Sequence, residues 1–380
     1  MKENKEEIIQ QKQYACWLDT IYWITSDTKY KLLRVAGSIQ NIYNMEEEQL
    51  AAIMGLKGCA RFCQHRKRYT PQKVWNYIKQ LGIQYTYCED SDFPKKLVNI
   101  SDPPFGIFYK GKLPSKDVPA VAIIGARKCS AYGRYMAENF ATVFATHGIN
   151  VISGMAQGID GIGQKAALAA KGNSYAVLGC GVDVVYPKVN EKLYYQLLEQ
   201  GGVLSEYPPQ MEPRPMLFPP RNRIISALSD VVLVVEAREK SGSLITVDMA
   251  LEQGKEVYIV PGRCTDSLSM GCNRLLRQGA AIATTPEDII EDMHWETRLQ
   301  KANNPLEKEE NDKNDIIRKL SSTTKELYAI LDVLPITQDV IVSRLRDKKK
   351  ALSIPQICQG LVELELKGLV VSENRQYRKI

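Results

Sequence analysis

Apolar residues run through this chain in two rhythms, and the change of rhythm divides it. Up to Ile83 they recur at helical spacing, with Ile8, Ile9, Ala15, Leu18 and Ile21 falling on one face and Gly55, Gly58 and Gly82 interrupting later segments. The pattern predicts an N-terminal helical domain over residues 1–84, of helix-hairpin-helix or SAM-like type. Paired short helices around glycine can grip a DNA backbone, and the same text suits a plain helical packing module. Over residues 85–119 the Pro- and Gly-rich text, including DFPKKLVNISDPPFGIFYKGKLP, predicts an extended bridge packed on the next domain.

From Val121 to about Met293 the rhythm changes to short, continuous apolar runs (VAIIG, NVISG, YAVLG, VLSE, VVLVVEA, EVYIVPG), with helix-like segments between most of them. Alternation of this kind predicts an α/β fold over residues 120–295, a doubly wound Rossmann-like parallel sheet with helices on both faces. Residues 296–315 (ETRLQKANNPLEKEENDKND) are nearly devoid of apolar side chains and read as a solvated linker. The remainder, 316–380, predicts three helices near 323–331, 338–345 and 354–367, closed by a strand, turn and strand in GLVVSENRQYRKI. That order describes a winged-helix domain. Its basic residues, Arg344, Arg346, Lys348, Lys349 and Lys350, then Arg375, Arg378 and Lys379, suit either DNA or an ordinary solvated face.

Composition narrows the class without deciding it. The chain has 380 residues, 44% hydrophobic and 25% charged, so it forms a core of ordinary size. Its net charge of +6 permits a nucleic-acid partner but does not demand one. A charged N-terminus and the absence of any long apolar run predict a cytoplasmic protein with no membrane span. Nine cysteines without a CxxC pair predict reduced, packed thiols. Cys59, Cys63 and His65 are the tightest cluster, yet no fourth ligand is in sight, so no metal is expected.

The chemistry sits in the loops that follow the apolar runs, where open parallel sheets bind ligands. Gly125 to Gly133 (GARKCSAYG) has neither GxGxxG nor GxxxxGK[ST] spacing, which argues against a nucleotide hydrolase. Instead Arg127 offers a planar donor fork and Ser130 a hydroxyl beside a helix start, a set suited to a phosphodiester oxygen. In the second loop Gly154 and Gly158 let backbone approach a ligand, and Asp160 is placed to cap the next helix. A GxGxxA match at Gly161, Gly163 and Ala166 lies inside that helix and says little. In the third, Arg221, Asn222 and Arg223 follow two prolines at a helix start, and two guanidinium groups there need anions. In the fourth, Lys240, Ser241, Gly242 and Ser243 again place small donors at a helix N-terminus. No Ser/His/Asp, Cys/His or HExxH arrangement is apparent among the three histidines, so a binding groove fits better than a catalytic centre and no cofactor is expected. Tyr132, Tyr186 and Tyr207 fall on loops where they could stack on bases or pack beneath the backbone.

GARKCSAYG, SGMAQGID, PPRNRIIS and EKSGSLIT, with GKEVYIVPG and GCNRLLRQGA in the same order, resemble the DNA-processing protein A family (DprA, also called Smf). The resemblance spans about Asp92 to Ile290. It implies a cytoplasmic, non-enzymatic protein that binds and protects single-stranded DNA, dimerises through the sheet domain and loads the RecA recombinase during natural transformation. Carried over by position, the family's DNA pocket falls on Arg127 and Ser130, Gly154 and Gly158, Arg221, Asn222 and Arg223, and Ser241, Gly242 and Thr246. The chain departs from the family pattern at Gln157, where a basic residue is common, and at Gln164, usually His. Lys128 and Lys165 are the cations nearest to compensate. The competing class is an enzyme of the nucleoside-monophosphate phosphoribohydrolase type, whose loop supplies a catalytic Glu. Here Met249 stands in that place. A nucleotide-sensing module is a third reading.

Overall fold

A computed structural model describes residues 2–295, 317, 320–332, 335–347, 352–373 and 376–379, the side chains of 2–6, 347 and 373 excepted. The expected linker at 296–315 and the basic residues Lys348, Lys349, Lys350 and Arg375 lie outside the described residues. The chain divides into two compact units, Met1–Cys129 with Ala137–Glu296 and Ser130–Met136 with Thr297–Ile380. No helix among the described residues is long and apolar enough to cross a membrane.

The larger unit begins with five helices: α1 (Lys2–Asp19), α2 (Ser26–Ala36), α3 (Ile39–Asn44), α4 (Glu47–Arg68) and α5 (Pro71–Gln80). Local chemistry sets their ends. Thr25, Ser38 and Thr70 each accept a backbone N–H at a helix start, Pro71 opens α5, and Gly37 ends α2 in the left-handed region. Gly55, at φ 73°, kinks α4 into two arms.

The sheet is built from β1 (Gln84–Tyr87), β2 (Gly106–Gly111), β3 (Ala120–Ile124), β4 (Asn150–Ser153), β5 (Ser174–Val177), β6 (Gly201–Ser205), β7 (Val231–Val234), β8 (Glu256–Ile259) and β9 (Ala281–Ile282). Their spatial order is β1-β2-β6-β5-β4-β3-β7-β8-β9. Strands β3 to β9 are parallel, as expected. Between them lie α6 (Ala131–Thr146), α7 (Ile159–Ala169), α8 (Glu191–Glu199), α9 (Phe218–Leu228), α10 (Gly242–Glu252) and α11 (Met270–Arg277), and α12 (Pro286–Asp292) follows β9. The central strands β3 (AVAII) and β7 (VVLV) are unbroken aliphatic runs, buried throughout, because both faces of the sheet are covered there.

The 85–119 segment is more than a bridge. It supplies β1 and β2, which extend the same sheet as antiparallel strands, β2 pairing with β6. Prolines and glycines flank both strands and hide them in the sequence. Its middle is tied down by Lys96, whose Nζ lies 2.6 Å from Asp230, the carboxylate that also accepts the Ala120 N–H. The helical region is no separate body either: Trp17, Leu32, Phe62 and Ile78 belong to one apolar core with Leu178, Leu193, Leu197 and Val203 of the sheet region.

In the second unit, α13 (Ser322–Ile330), β10 (Ile336–Thr337), α14 (Gln338–Asp347), α15 (Ile354–Leu366), β11 (Val370–Glu373) and β12 (Gln376–Lys379) form three helices and a three-stranded antiparallel sheet, β10-β12-β11. Leu327, Ile341, Leu345, Ile357, Leu361 and Leu364 make its core. Arg344 donates to the Ile330 carbonyl at 2.9 Å and pairs with Asp332 at 3.5 Å, so this cation is held within the unit.

Candidate nucleic-acid interface

The strand order reverses between β3 and β7, and that switch point is where an open α/β sheet presents a crevice. A groove of about 770 Å³ opens there. It is lined by the loop after β3 (Gly125, Ala126, Arg127, Lys128), the start of α9 (Phe218, Pro219, Arg221, Asn222) and the loop after β7 into α10 (Arg238, Lys240, Ser241, Gly242, Thr246), with Asp160 and Tyr186 on its walls. The parallel register sets Val121 beside both Val151 and Val231, so these strands end level and their loops emerge together.

Arg221 is the centre of this arrangement. It is only 6% exposed, and its guanidinium donates to the carbonyls of Gly154 (3.2 Å) and Val177 and, through Nε, to Asn222 Oδ1 (3.1 Å). Burial works to lower its pKa while Asp160 opposes that. Burial likewise raises the pKa of Asp160, against the pull of Arg221 and of the Gly154 N–H, which donates to Asp160 Oδ2 at 3.2 Å. Two desolvated charges thus face each other at the floor of the groove. Asp160, expected as a helix cap, instead reaches back to the Gly154 N–H, and α7 starts at Ile159 behind Gly158, which has no side chain to cap it.

The second loop makes room for that floor. A Cβ at Gly154 would meet Arg221 Nη2 at 2.7 Å and Asp160 Oδ2 at 2.9 Å. Gly158, at φ 84°, passes so close to the first loop that a Cβ would meet the Ala126 carbonyl oxygen at 2.2 Å. These glycines act beneath the groove; neither is among its lining residues. Gln164, fully buried, holds the same loop: its Oε1 accepts the Met155 N–H at 3.0 Å, and its Nε2 donates to the Tyr175 carbonyl at 3.0 Å. Lys165 donates to Asn190 at 3.1 Å, while Gln157 and Lys128 are exposed.

The remaining expected residues divide. Arg127, Lys128, Asn222, Ser241, Gly242 and Thr246 join Arg221 at the groove. Ser130 and Arg223 are not among the lining residues. Ser130 Oγ accepts the Gly133 N–H at 3.0 Å near the start of α6. Ser241 plays the same part for α10, accepting the Ser243 N–H and meeting the Ser243 hydroxyl at 2.7 Å.

Arg223 points to the other side of α9. It grips Glu206 through two bonds of 2.9 and 2.7 Å and Asp102 at 2.9 Å. Burial alone would lower its pKa, yet the two carboxylates raise it. The anions that two arginines at a helix start require are therefore Asp160 for one and the Glu206–Asp102 pair for the other.

One cation escaped sequence reasoning, and of the three loop tyrosines that it singled out only Tyr186 lines the groove. Arg238 lines the groove immediately after β7, and a cation directly behind a buried strand was the available signal. Tyr186, 41% exposed, lies 5.7 Å from the Phe218 ring, making an aromatic wall beside Arg221. Tyr207 has its hydroxyl on the Leu217 carbonyl at 3.1 Å and, with Tyr132, is absent from the groove lining. In the helical region, Cys59 and Cys63 come within 4.8 Å of Glu47, whereas His65 faces Thr20 at 3.3 Å. Burial raises the Cys63 pKa, and the Arg66 guanidinium lies 3.7 Å from its sulfur.

A doubly wound α/β domain with a donor-lined crevice at its switch point is the class of protein that the fold defines. The particular family follows from comparison: residues 84–294 match the model of the DNA recombination-mediator protein A family, and the chain belongs to that family. It is 40% identical over 269 residues to the DNA processing protein DprA of Streptococcus pneumoniae, covering 70% of this chain and 94% of the relative. Protein Smf of Escherichia coli is 38% identical over 293 residues, 74% of each chain. Among solved structures, the S. pneumoniae DprA fold superposes with a TM-score of 0.64 at 34% identity, covering 70% of this chain and 93% of that one. DNA processing protein A of Helicobacter pylori, described for its single-stranded DNA binding mode, gives 0.50 at 32% identity, covering 55% and 95%.

Proposed function

We propose that the groove binds single-stranded DNA through its phosphates, and that the protein mediates recombination by protecting strands and passing them to RecA without turnover of its own. The observation that carries this reading is the preorganised Arg221 at the groove floor, ringed by the exposed cations Arg127, Lys128, Arg238 and Lys240. A flexible strand is held by a cationic track and by rings on which bases stack. Tyr186 and Phe218 supply such rings beside the cations. Backbone N–H groups at the start of α10 add donors for phosphate oxygens, whereas Pro219 and Pro220 at the start of α9 have none to offer. Homodimerisation through the sheet domain and a winged-helix role for the C-terminal unit belong to the same reading.

An enzymatic reading would need a free carboxylate or base in the groove. Asp160 is the acid there, and it already faces Arg221. Fluorescence anisotropy with oligo-dT tests the proposal: the protein binds single strands in preference to duplex, with affinity falling as salt rises. Arg127→Ala lowers the log–log salt slope by roughly 0.7, one phosphate's share on a single strand. Unchanged affinity and slope in that variant, or release of adenine from AMP by the parent, would overturn the assignment.

A further inference from the structure

Outside the groove, charge is concentrated in one place. Between Glu48 and Glu89 the chain carries seven Lys and Arg residues and no Asp or Glu, a local surplus larger than the +6 of the entire protein. Arg66 is turned inward, donating to the carbonyls of Tyr43 (2.8 Å) and Met45 (2.9 Å). The other six, Lys57, Arg61, Lys67, Arg68, Lys73 and Lys79, are exposed. Among the described residues none of these six makes an ion pair.

Their arrangement is ordered. Lys57, Arg61 and Arg68 follow one side of the second arm of α4, spanning about 16 Å at 1.5 Å per residue. α5 adds Lys73 and Lys79. Aromatic rings lie among the cations: Arg61 sits 4.2 Å over Trp23, Arg68 5.2 Å over Tyr69 and Lys79 5.2 Å over Trp75. Tyr69 and Tyr77 are 38% and 40% exposed, so part of each side chain meets solvent.

We infer that this face of the helical domain is a second nucleic-acid contact surface, which engages the phosphates of a strand through the α4 and α5 cations and its bases through Tyr69 and Tyr77. Unpaired like charges on one surface cost self-repulsion unless a polyanion covers them. Cations interleaved with exposed rings match a polynucleotide, which offers both phosphates and stacking faces. An acidic protein would meet the charges and leave the rings without a matching partner.

The test uses the full chain and oligo-dT of two lengths, one on the order of 8 nucleotides, enough for a single groove, and one several times longer. The variant Lys57→Gln/Arg61→Gln/Arg68→Gln/Lys73→Gln is expected to bind the long strand about tenfold or more weaker. Its salt slope should fall by up to about 3, at roughly 0.7 per phosphate. Its affinity for the short strand should stay at the parent value, whereas Arg127→Ala weakens both. A lysine-only variant, Lys57→Gln/Lys67→Gln/Lys73→Gln, removes no ring contact and guards against misfolding, with an intact thermal transition as the control. Parent-like long-strand affinity in both variants overturns the inference. So does a loss confined to anionic phosphatidylserine vesicles. If the α4–α5 variants weaken the long strand while Arg127→Ala changes nothing, this surface stands and the groove assignment falls.

Discussion

The groove and the α4–α5 face both present cations, and they hold them in opposite ways. At the groove floor Arg221 is buried, oriented by two backbone carbonyls and opposed by Asp160. On the helical face the cations extend into solvent on long, flexible stems with rings as their neighbours. A buried, oriented guanidinium is costly to desolvate but loses little entropy on meeting a phosphate. An exposed lysine carries almost no desolvation cost and contributes chiefly a salt-screened field. The difference teaches that local charge density and local order are separate variables: the first sets the reach of attraction, the second the geometry of the bound strand.

The sharpest way to break the comparison is Arg221→Ala. It leaves Asp160 buried without its cation, and the expected loss is about 3–5 kcal/mol of stability by urea denaturation, together with most oligonucleotide affinity. Adding Asp160→Asn should restore much of the stability and none of the binding; recovery of both would mean that Arg221 only props the fold. Next in size is Glu206→Gln, which strips one carboxylate from Arg223 two residues along the same helix. Stability should fall by about 2–3 kcal/mol, the cost of leaving a buried charge underpaired, while oligo-dT affinity stays close to the parent's. A large loss of affinity there would show that the two sides of α9 are not independent.

The smallest expected effect concerns pH on the helical side. Burial, with Arg68 adding to it, lowers the His65 pKa from its ordinary 6.5 to about 4. Between those values the unfolded chain binds a proton that the folded chain refuses, so stability rises with pH. The contribution is complete above pH 6.5 and is lost as pH falls toward 4, by about 1 kcal/mol once solvent screening is allowed for. His65→Gln should flatten that part of the stability–pH curve. A curve of unchanged shape would place the acid sensitivity elsewhere.

The parallel strands, the loops at their ends and the cations Arg127, Lys128 and Arg221 were legible because apolar runs followed by small and basic residues carry a local signal. Strands β1 and β2 were not. Their pairing with β6 is a long-range event, and the flanking prolines and glycines look the same in a bridge as at a sheet edge. Arg221 and Arg223 read alike along the chain, and no local rule assigns one to Asp160 and the other to Glu206 and Asp102. Gln164 stood in the sequence only as a departure from the family's usual His, open to a role in helix packing or a polar contact, and only the fold shows it holding the Met155 loop.

Taken alone, the sequence determined the alternation of strand and helix, the composition of the loops at the strand ends and the concentration of positive charge between Glu48 and Glu89, because each depends on residues close together in the chain. Tertiary structure decided which cation faces the groove, which is locked in an ion pair and where the antiparallel edge lies. Those outcomes depend on partners as distant as Asp102 from Arg223, and only folding brings such partners within bonding distance.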